Sequence, residues 1–226
     1  MRILVVAATR FEIAPLLTEC DARPDITGRV SEYTFASHHL DVLQAGVGMV
    51  STAVWCARQL ALARYDLSLN LGVCGSFDPA LPLASTVHVV SEAMPELGAE
   101  DGEAFISMQQ LQLIREDEAP FSDGRLVNAH PPRSAVLASL PQVHGITVNT
   151  VHGNERTIAA VVERCRPQVE SMEGAAFMHA CLTADVPFAE VRAISNFVER
   201  RNRNAWKMND AVASLNETAR RLLESL

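Results

Sequence analysis

The sequence predicts an α/β domain with a central, largely parallel mixed β-sheet flanked by α-helices, and three observations predict it. Short apolar runs of buried-strand length recur along the chain, stretches of helical period lie between several of them, and 226 residues with 48% hydrophobic content suffice for one sizeable core. Residues 1–226 are accordingly read as a single domain.

The first run, "ILVVAA" from Ile3 to Ala8, is apolar without alternation, as a strand covered on both faces requires. The second, "HLDVLQAG" from His39 to Gly46, leads through the glycine-punctuated turn "GVGMVSTA" into a helical stretch from Met49 to Tyr65. "LSLNLGV" (Leu67 to Val73) and "STVHVVSE" (Ser85 to Glu92) are the next two strands. The segment from Glu92 to Glu103 is acidic and punctuated by Gly and Pro, which reads as a long surface loop. "GITVNTV" (Gly145 to Val151), a helix from Glu155 to Cys165, "QVESM" (Gln168 to Met172), a helix from Gly174 to Ala184 and "FAEVRAIS" (Phe188 to Ser195) continue the alternation. In the closing stretch Met208, Val212, Leu215, Ala219 and Leu222 share one face of an amphipathic helix.

Composition excludes several function classes. A formal charge of −8, with only Arg200, Arg201 and Arg203 clustered, argues against nucleic acid as a partner, because phosphate binding draws on many Lys and Arg side chains. The five cysteines, Cys20, Cys56, Cys74, Cys165 and Cys181, lie in apolar stretches without metal-ligand spacing, the pattern of reduced thiols in a cytoplasmic protein. The histidines show no metal spacing either. The opening "MRILVVAATRFE" meets Arg10 and Glu12 too soon for a secretion signal, and no run approaches the ~20 apolar residues of a membrane helix, so no membrane partner is expected.

In open α/β sheets ligands bind beyond the carboxyl ends of the strands, which directs attention to the polar residues just after each run. They are Thr9, Arg10 and Glu12; Gly46, Val47 and Gly48; Cys74, Gly75 and Ser76; Glu173; and Ser195 and Asn196. In "LGVCGSFDPAL" Gly72 and Gly75 let backbone N–H groups approach an anion or a sugar oxygen closely. Glu173 stands at a strand-to-helix join followed only by Gly174, Ala175 and Ala176. Either it accepts two hydroxyl hydrogen bonds from the diol of a ribose, or it is simply a carboxylate at the positive end of a helix.

Taken together, "MRILVVAATRFEIAPL", "GVGMVSTA", "LGVCGSFDPALPLASTV", "VESMEGAAFMHAC" and "VPFAEVRAISN" resemble, in order and spacing, the purine nucleoside phosphorylase and nucleosidase superfamily over nearly the whole chain. Within it, "ESMEGAAF" joined to "RAISNFVERRNRNAW" looks most like the futalosine hydrolase family, with the methylthioadenosine nucleosidases as neighbours. The resemblance implies hydrolysis of futalosine to hypoxanthine and dehypoxanthine futalosine in menaquinone biosynthesis, with neither metal nor organic cofactor. It also implies Glu12 as the base for water, Met172 and Glu173 as the ribose clamp, and Ser76, beside Gly75, near the sugar. Thr150, Val151 and His152 fall where the superfamily's purine-facing loop lies. A homodimer or larger homo-oligomer is expected on the same ground.

One position departs from the adenine-releasing nucleosidases, which carry Asp after Ile-Ser where this chain has Asn196. Hypoxanthine offers acceptors at N7 and O6, and an Asn NH₂ can donate to both, so Asn196 suits a 6-oxopurine leaving group. Futalosine also carries a benzoate, which an Arg fork pairs bidentately; of Arg200, Arg201 and Arg203, Arg201 is the candidate. The competing readings are a methylthioadenosine or S-adenosylhomocysteine nucleosidase, a phosphorolytic enzyme of the same fold, which Glu12 disfavours by repelling phosphate, and a nucleoside-binding protein without turnover.

Overall fold

The computed structural model describes residues 1–27 and 29–226, with residues 23–27 described as backbone only. Thirteen strands and six α-helices succeed one another: β1 Arg2–Ala7, α1 Arg10–Thr18, β2 Asp21–Thr27, β3 Val30–Phe35, β4 His38–Gln44, α2 Met49–Leu62, β5 Leu67–Ser76, β6 Thr86–Ala93, β7 Gly98–Asp101, β8 Ala104–Ser107, β9 Phe121–Ser122, β10 Arg125–Val127, α3 Ala135–Ser139, β11 Gln142–Thr147, α4 Glu155–Cys165, β12 Val169–Ser171, α5 Gly174–Ala184, β13 Phe188–Phe197 and α6 Met208–Glu224.

The large sheet is mixed, as expected. Its centre is parallel, with β1 between β4 and β5, β11 between β6 and β12, and β13 alongside β5. Antiparallel pairs flank that centre through β2–β3–β4 and β6–β10–β9. A second feature was not expected: β13 also pairs antiparallel with β6, and β12 antiparallel with the end of β5. The strands β5, β13, β6, β11 and β12 therefore close on themselves into a ring.

Alternate residues of β1 feed two cores. Ile3 and Val5 pack with α1, α3 and α6 through Ile13, Leu16, Val136 and Leu215, whereas Leu4 and Val6 pack with α2 and α5 through Cys56, Ala175 and Phe177. Burial on both faces is what makes the run apolar throughout, and each such side chain contributes about 1.5–3 kcal/mol by leaving water. The closing helix buries Val212, Leu215, Ala219 and Leu222 as its period requires, while Met208 is half-buried.

The segment from Glu92 to Glu103 is a correction. Glu92 is fully buried within β6, and residues 98–107 form the β7–β8 hairpin, because a short strand with polar side chains on an exposed hairpin carries no apolar run to reveal it.

Candidate functional site

The carboxyl ends of β1, β5, β12 and β13 converge, and a buried arginine organises what they bring. Arg192, 1% exposed in the middle of β13, donates from Nε to Glu190 Oε1 at 2.7 Å and from Nη2 to Asn70 Oδ1, and its Nη1 lies 3.5 Å from Glu173 Oε2. Gly72 is its register partner on β5. A Cβ at that glycine would run into Arg192 Nη1 and stand 3.0 Å from Glu12 Oε1, so a residue without a side chain is what leaves room over the strand for both groups.

Glu12 reaches this place because α1 starts on a Thr-x-x-Glu capping box. Its Oε2 accepts from the Thr9 N–H at 2.9 Å and from the Thr9 hydroxyl at 3.0 Å, and its Oε1 from the Val73 N–H at 3.2 Å. Burial raises its pKa above the ordinary carboxylate value, against the opposing pull of Arg192 and the two N–H donors. Glu173 occupies the N-cap of α5, and its Oε1 accepts from the Gly48 N–H at 3.1 Å. Glu12 and Glu173 are each 6% exposed.

Behind them lie two acids that sequence reasoning passed over. Glu190 and Glu92 are fully buried, and both titrate above the normal carboxylate range, first because of burial. Glu92 is pushed further by the negative charge of Glu190, while Arg192 opposes the shift of both. Glu92 Oε2 accepts from the Thr147 hydroxyl at 2.9 Å, whereas Glu92 Oε1 and Glu190 Oε2 have no hydrogen-bond partner among the described residues. A Cβ on Gly174 would strike Glu92 Oε1 and lie 2.5 Å from Glu190 Oε1, so the first residue of α5 has to be a glycine for the two carboxyls to flank it.

Next to this cluster is a cavity of about 140 Å³ lined by Gly75, Val151, His152, Glu170, Asn196 and Arg201, with Trp206 among the remaining walls. Asn196 Oδ1 accepts from the Ser195 hydroxyl at 2.8 Å, and its Nδ2 donates one hydrogen to Phe197 O at 2.9 Å. One amide hydrogen is left for a ligand. Arg201 lies over the Trp206 ring, 5.2 Å from its centroid. His152 Nδ1 is 2.7 Å from Glu170 Oε2, and the His152 N–H donates to Glu170 Oε1 at 3.0 Å. Glu170 is thus partnered by His152, and burial raises its pKa while His152 opposes the shift.

The other expected residues are less central. The Ser76 hydroxyl accepts the Asp78 N–H at 3.1 Å and faces the carbonyls of Asp78 and Gln168, tying the turn after β5. Met172 is half-buried between β12 and α5, and Thr150 is exposed beyond β11. Arg200 and Arg203 are exposed outside the cavity lining. Among the described residues one group has metal-ligand proximity, Glu32, His39 and Asp41, and it sits on β3 and β4, where Asp41 is already bound by Arg2 and Tyr65.

Residues 2–226 match the family described as the Phosphorylase superfamily. The futalosine hydrolase of Acidothermus cellulolyticus is 32% identical over 221 residues, covering 94% of this chain and 85% of that protein. The futalosine hydrolase of Thermus thermophilus is 29% identical over 187 residues, covering 80% of each. Among solved structures, a 5'-methylthioadenosine/S-adenosylhomocysteine nucleosidase from Colwellia psychrerythraea in complex with adenine overlays with a TM-score of 0.81 at 18% identity, covering 100% of this chain and 96% of that one. The native futalosine hydrolase of Helicobacter pylori overlays at 0.76 with 15% identity, covering 100% and 98%. At those identities the overlays establish the fold.

Proposed function

The chain belongs to the phosphorylase superfamily, and from that premise we propose that it hydrolyses the N-glycosidic bond of futalosine, releasing hypoxanthine and leaving dehypoxanthine futalosine, a step of menaquinone biosynthesis. The observation that carries the substrate is the agreement with futalosine hydrolases over most of both chains, 32% over 221 residues in one case.

The chemistry rests on two buried carboxylates near one buried guanidinium, with Glu173 3.5 Å from Arg192 and Glu12 within reach of its charge. As the glycosidic bond stretches, positive charge builds on the ribose ring, and carboxylates fixed in a water-poor site stabilise it without reorganising. Water then adds at the anomeric carbon and Glu12 takes its proton; burial, which raises the proton affinity of Glu12, suits it to this. Glu173 and Met172 clamp the ribose diol, with Ser76 holding the adjoining turn. Gly75, Thr150, Val151, His152 and the free amide hydrogen of Asn196 receive the purine, and Arg201 the benzoate carboxylate. The acceptor is water and the groups that move its proton belong to the chain, so the reading calls for no metal or organic cofactor.

The same reading includes self-association. Val47, Val50, Val54 and Leu62 point outward around α2, beside an apolar cleft of about 770 Å³ between α2 and α5, a face suited to a second copy of the chain. It also includes a cytoplasmic setting, supported by five cysteines that are all unpaired, three of them buried. No helix among the described residues is long and apolar enough to cross a membrane.

The test is incubation of the purified protein with futalosine, inosine and methylthioadenosine in phosphate-free buffer, followed by chromatography of the released base. Hypoxanthine from futalosine is expected. Release only on addition of phosphate would indicate phosphorolysis, and faster release of adenine from methylthioadenosine would indicate the other nucleosidase.

A further inference from the structure

The proposed hydrolysis leaves unassigned the proton that the departing purine needs. A purine expelled as an anion is a poor leaving group, and the Asn196 amide can donate a hydrogen bond but cannot give up a proton. His152 and Glu170 line the same cavity as Asn196. The Glu170 carboxylate grips the histidine twice, at ring Nδ1 (2.7 Å) and at the backbone N–H (3.0 Å), which fixes both the loop and the plane of the imidazole. The edge of Phe77 closes on the ring, with centroids 6.2 Å apart. An ionised carboxylate only accepts, so Nδ1 carries a hydrogen and Nε2 is the ring's other working end. Glu170 lies on β12, directly before the Met172 and Glu173 clamp, so one strand sets the distance between this pair and the sugar site.

We propose that His152 is the general acid of the reaction, passing the proton on Nε2 of its imidazolium to a ring nitrogen of the departing purine, with Glu170 as the residue that positions the ring and stabilises its charge. The inference rests on the nucleosidase reading. The bond from the anomeric carbon to the purine breaks with its electron pair on the base, the His152 proton neutralises that base as hypoxanthine, and water supplies hydroxide to the sugar while its proton goes to Glu12. Solvent then reprotonates His152 and deprotonates Glu12, so the net change is addition of one water. The charged groups around the ring are Glu170, then Glu199 and Arg201 across the cavity, and Glu96, which holds the Asn149 side of the same loop. A reaction that needs a protonated acid slows once that acid has lost its proton, which predicts an alkaline limb that depends on His152.

The experiment compares wild type, H152Q and E170Q on futalosine and on para-nitrophenyl riboside, whose phenolate leaves without protonation, with kcat and KM followed from acid to alkaline pH. H152Q is expected to lower kcat for futalosine by about 10²–10⁴-fold, to lose the alkaline limb, and to lower para-nitrophenyl riboside turnover far less. E170Q is expected to alter that limb and to lower kcat for futalosine, because the ring loses the carboxylate that holds its Nδ1. Full futalosine turnover with an intact limb in H152Q, or equal losses on both substrates, would overturn the proposal in favour of a loop-pinning ion pair. E170Q decides by the same limb if H152Q does not fold. Wild type that releases no hypoxanthine from futalosine overturns the nucleosidase reading itself, and the acid with it.

Discussion

Replacing Arg192 by methionine keeps much of the side chain's length and takes the guanidinium out of a nest of acids. Glu190, Glu12 and Glu173 would then lie 0%, 6% and 6% exposed without the cation they share. Breaking a buried ion pair on one side costs about 3–5 kcal/mol, a large share of the roughly 5–15 kcal/mol that holds a domain together. For a chain of this length each kcal/mol moves the melting temperature by about 2–4 °C, so a drop of about 6–20 °C is expected. The loss should depend on pH in a definite sense. Burial already raises the pKa values of Glu12, Glu92 and Glu190, and Arg192 restrains all three, so its removal raises them further. Groups whose folded pKa exceeds the unfolded one cost stability above the folded pKa, and the cost fades as pH falls toward the unfolded carboxylate value. The gap between variant and wild type is therefore widest at neutral pH and narrows on acidification. Urea unfolding followed by circular dichroism at neutral and mildly acidic pH measures it. A gap below about 1 kcal/mol, or one that does not change with pH, would refute the claim that these carboxylates depend on Arg192.

Four further outcomes are expected. Glu12→Gln keeps nucleoside binding but loses about 10²–10⁴-fold in kcat, since the amide preserves shape and cannot take the water's proton; single-turnover rates check it. Glu173→Ala weakens binding of a ribosyl inhibitor while leaving affinity for free hypoxanthine nearly unchanged, as calorimetry with both ligands would reveal. Asn196→Asp lowers kcat/KM for futalosine and raises the ratio of its 6-amino analogue to futalosine, because an ionised carboxylate cannot donate to a 6-oxopurine; an unchanged ratio would remove Asn196 from base recognition. Val50→Glu, at a position 76% exposed on α2, is expected to abolish the proposed self-association in sedimentation, and an assembly unaltered by the change would mean that another face is used.

The strands that build the site were legible because β1, β5 and β13 are covered on both faces and so read as largely apolar runs. Position past the strand ends drew attention to Glu12 and Glu173, while the roles expected of them came from the family resemblance. Arg192, Glu190 and Glu92 were not legible, because a charge inside an apolar run shows that a partner exists without saying which. Asn70, one partner of Arg192, lies 122 positions away in the chain. The pairing of His152 with Glu170 spans only 18 positions, yet it depends on β11 and β12 lying side by side, which periodicity does not convey. The β3 strand alternates buried and half-buried residues, a weaker pattern than the central runs, and it went unread with its neighbour β2.

The ring closed by β13 bears on the order in which the molecule can be made. A ribosome delivers β5 and β6 long before β13, and until Phe188 and the residues after it emerge, both strands present open edges with unpaired N–H and C=O groups. Pairings of such sequence separation form late, since a long loop must close before any contact repays it. During synthesis Glu12 and Glu92 therefore exist without Arg192, solvated and exposed rather than buried. The ring can close only once β13 has emerged, and until then the nascent chain has to be kept from edge-to-edge association.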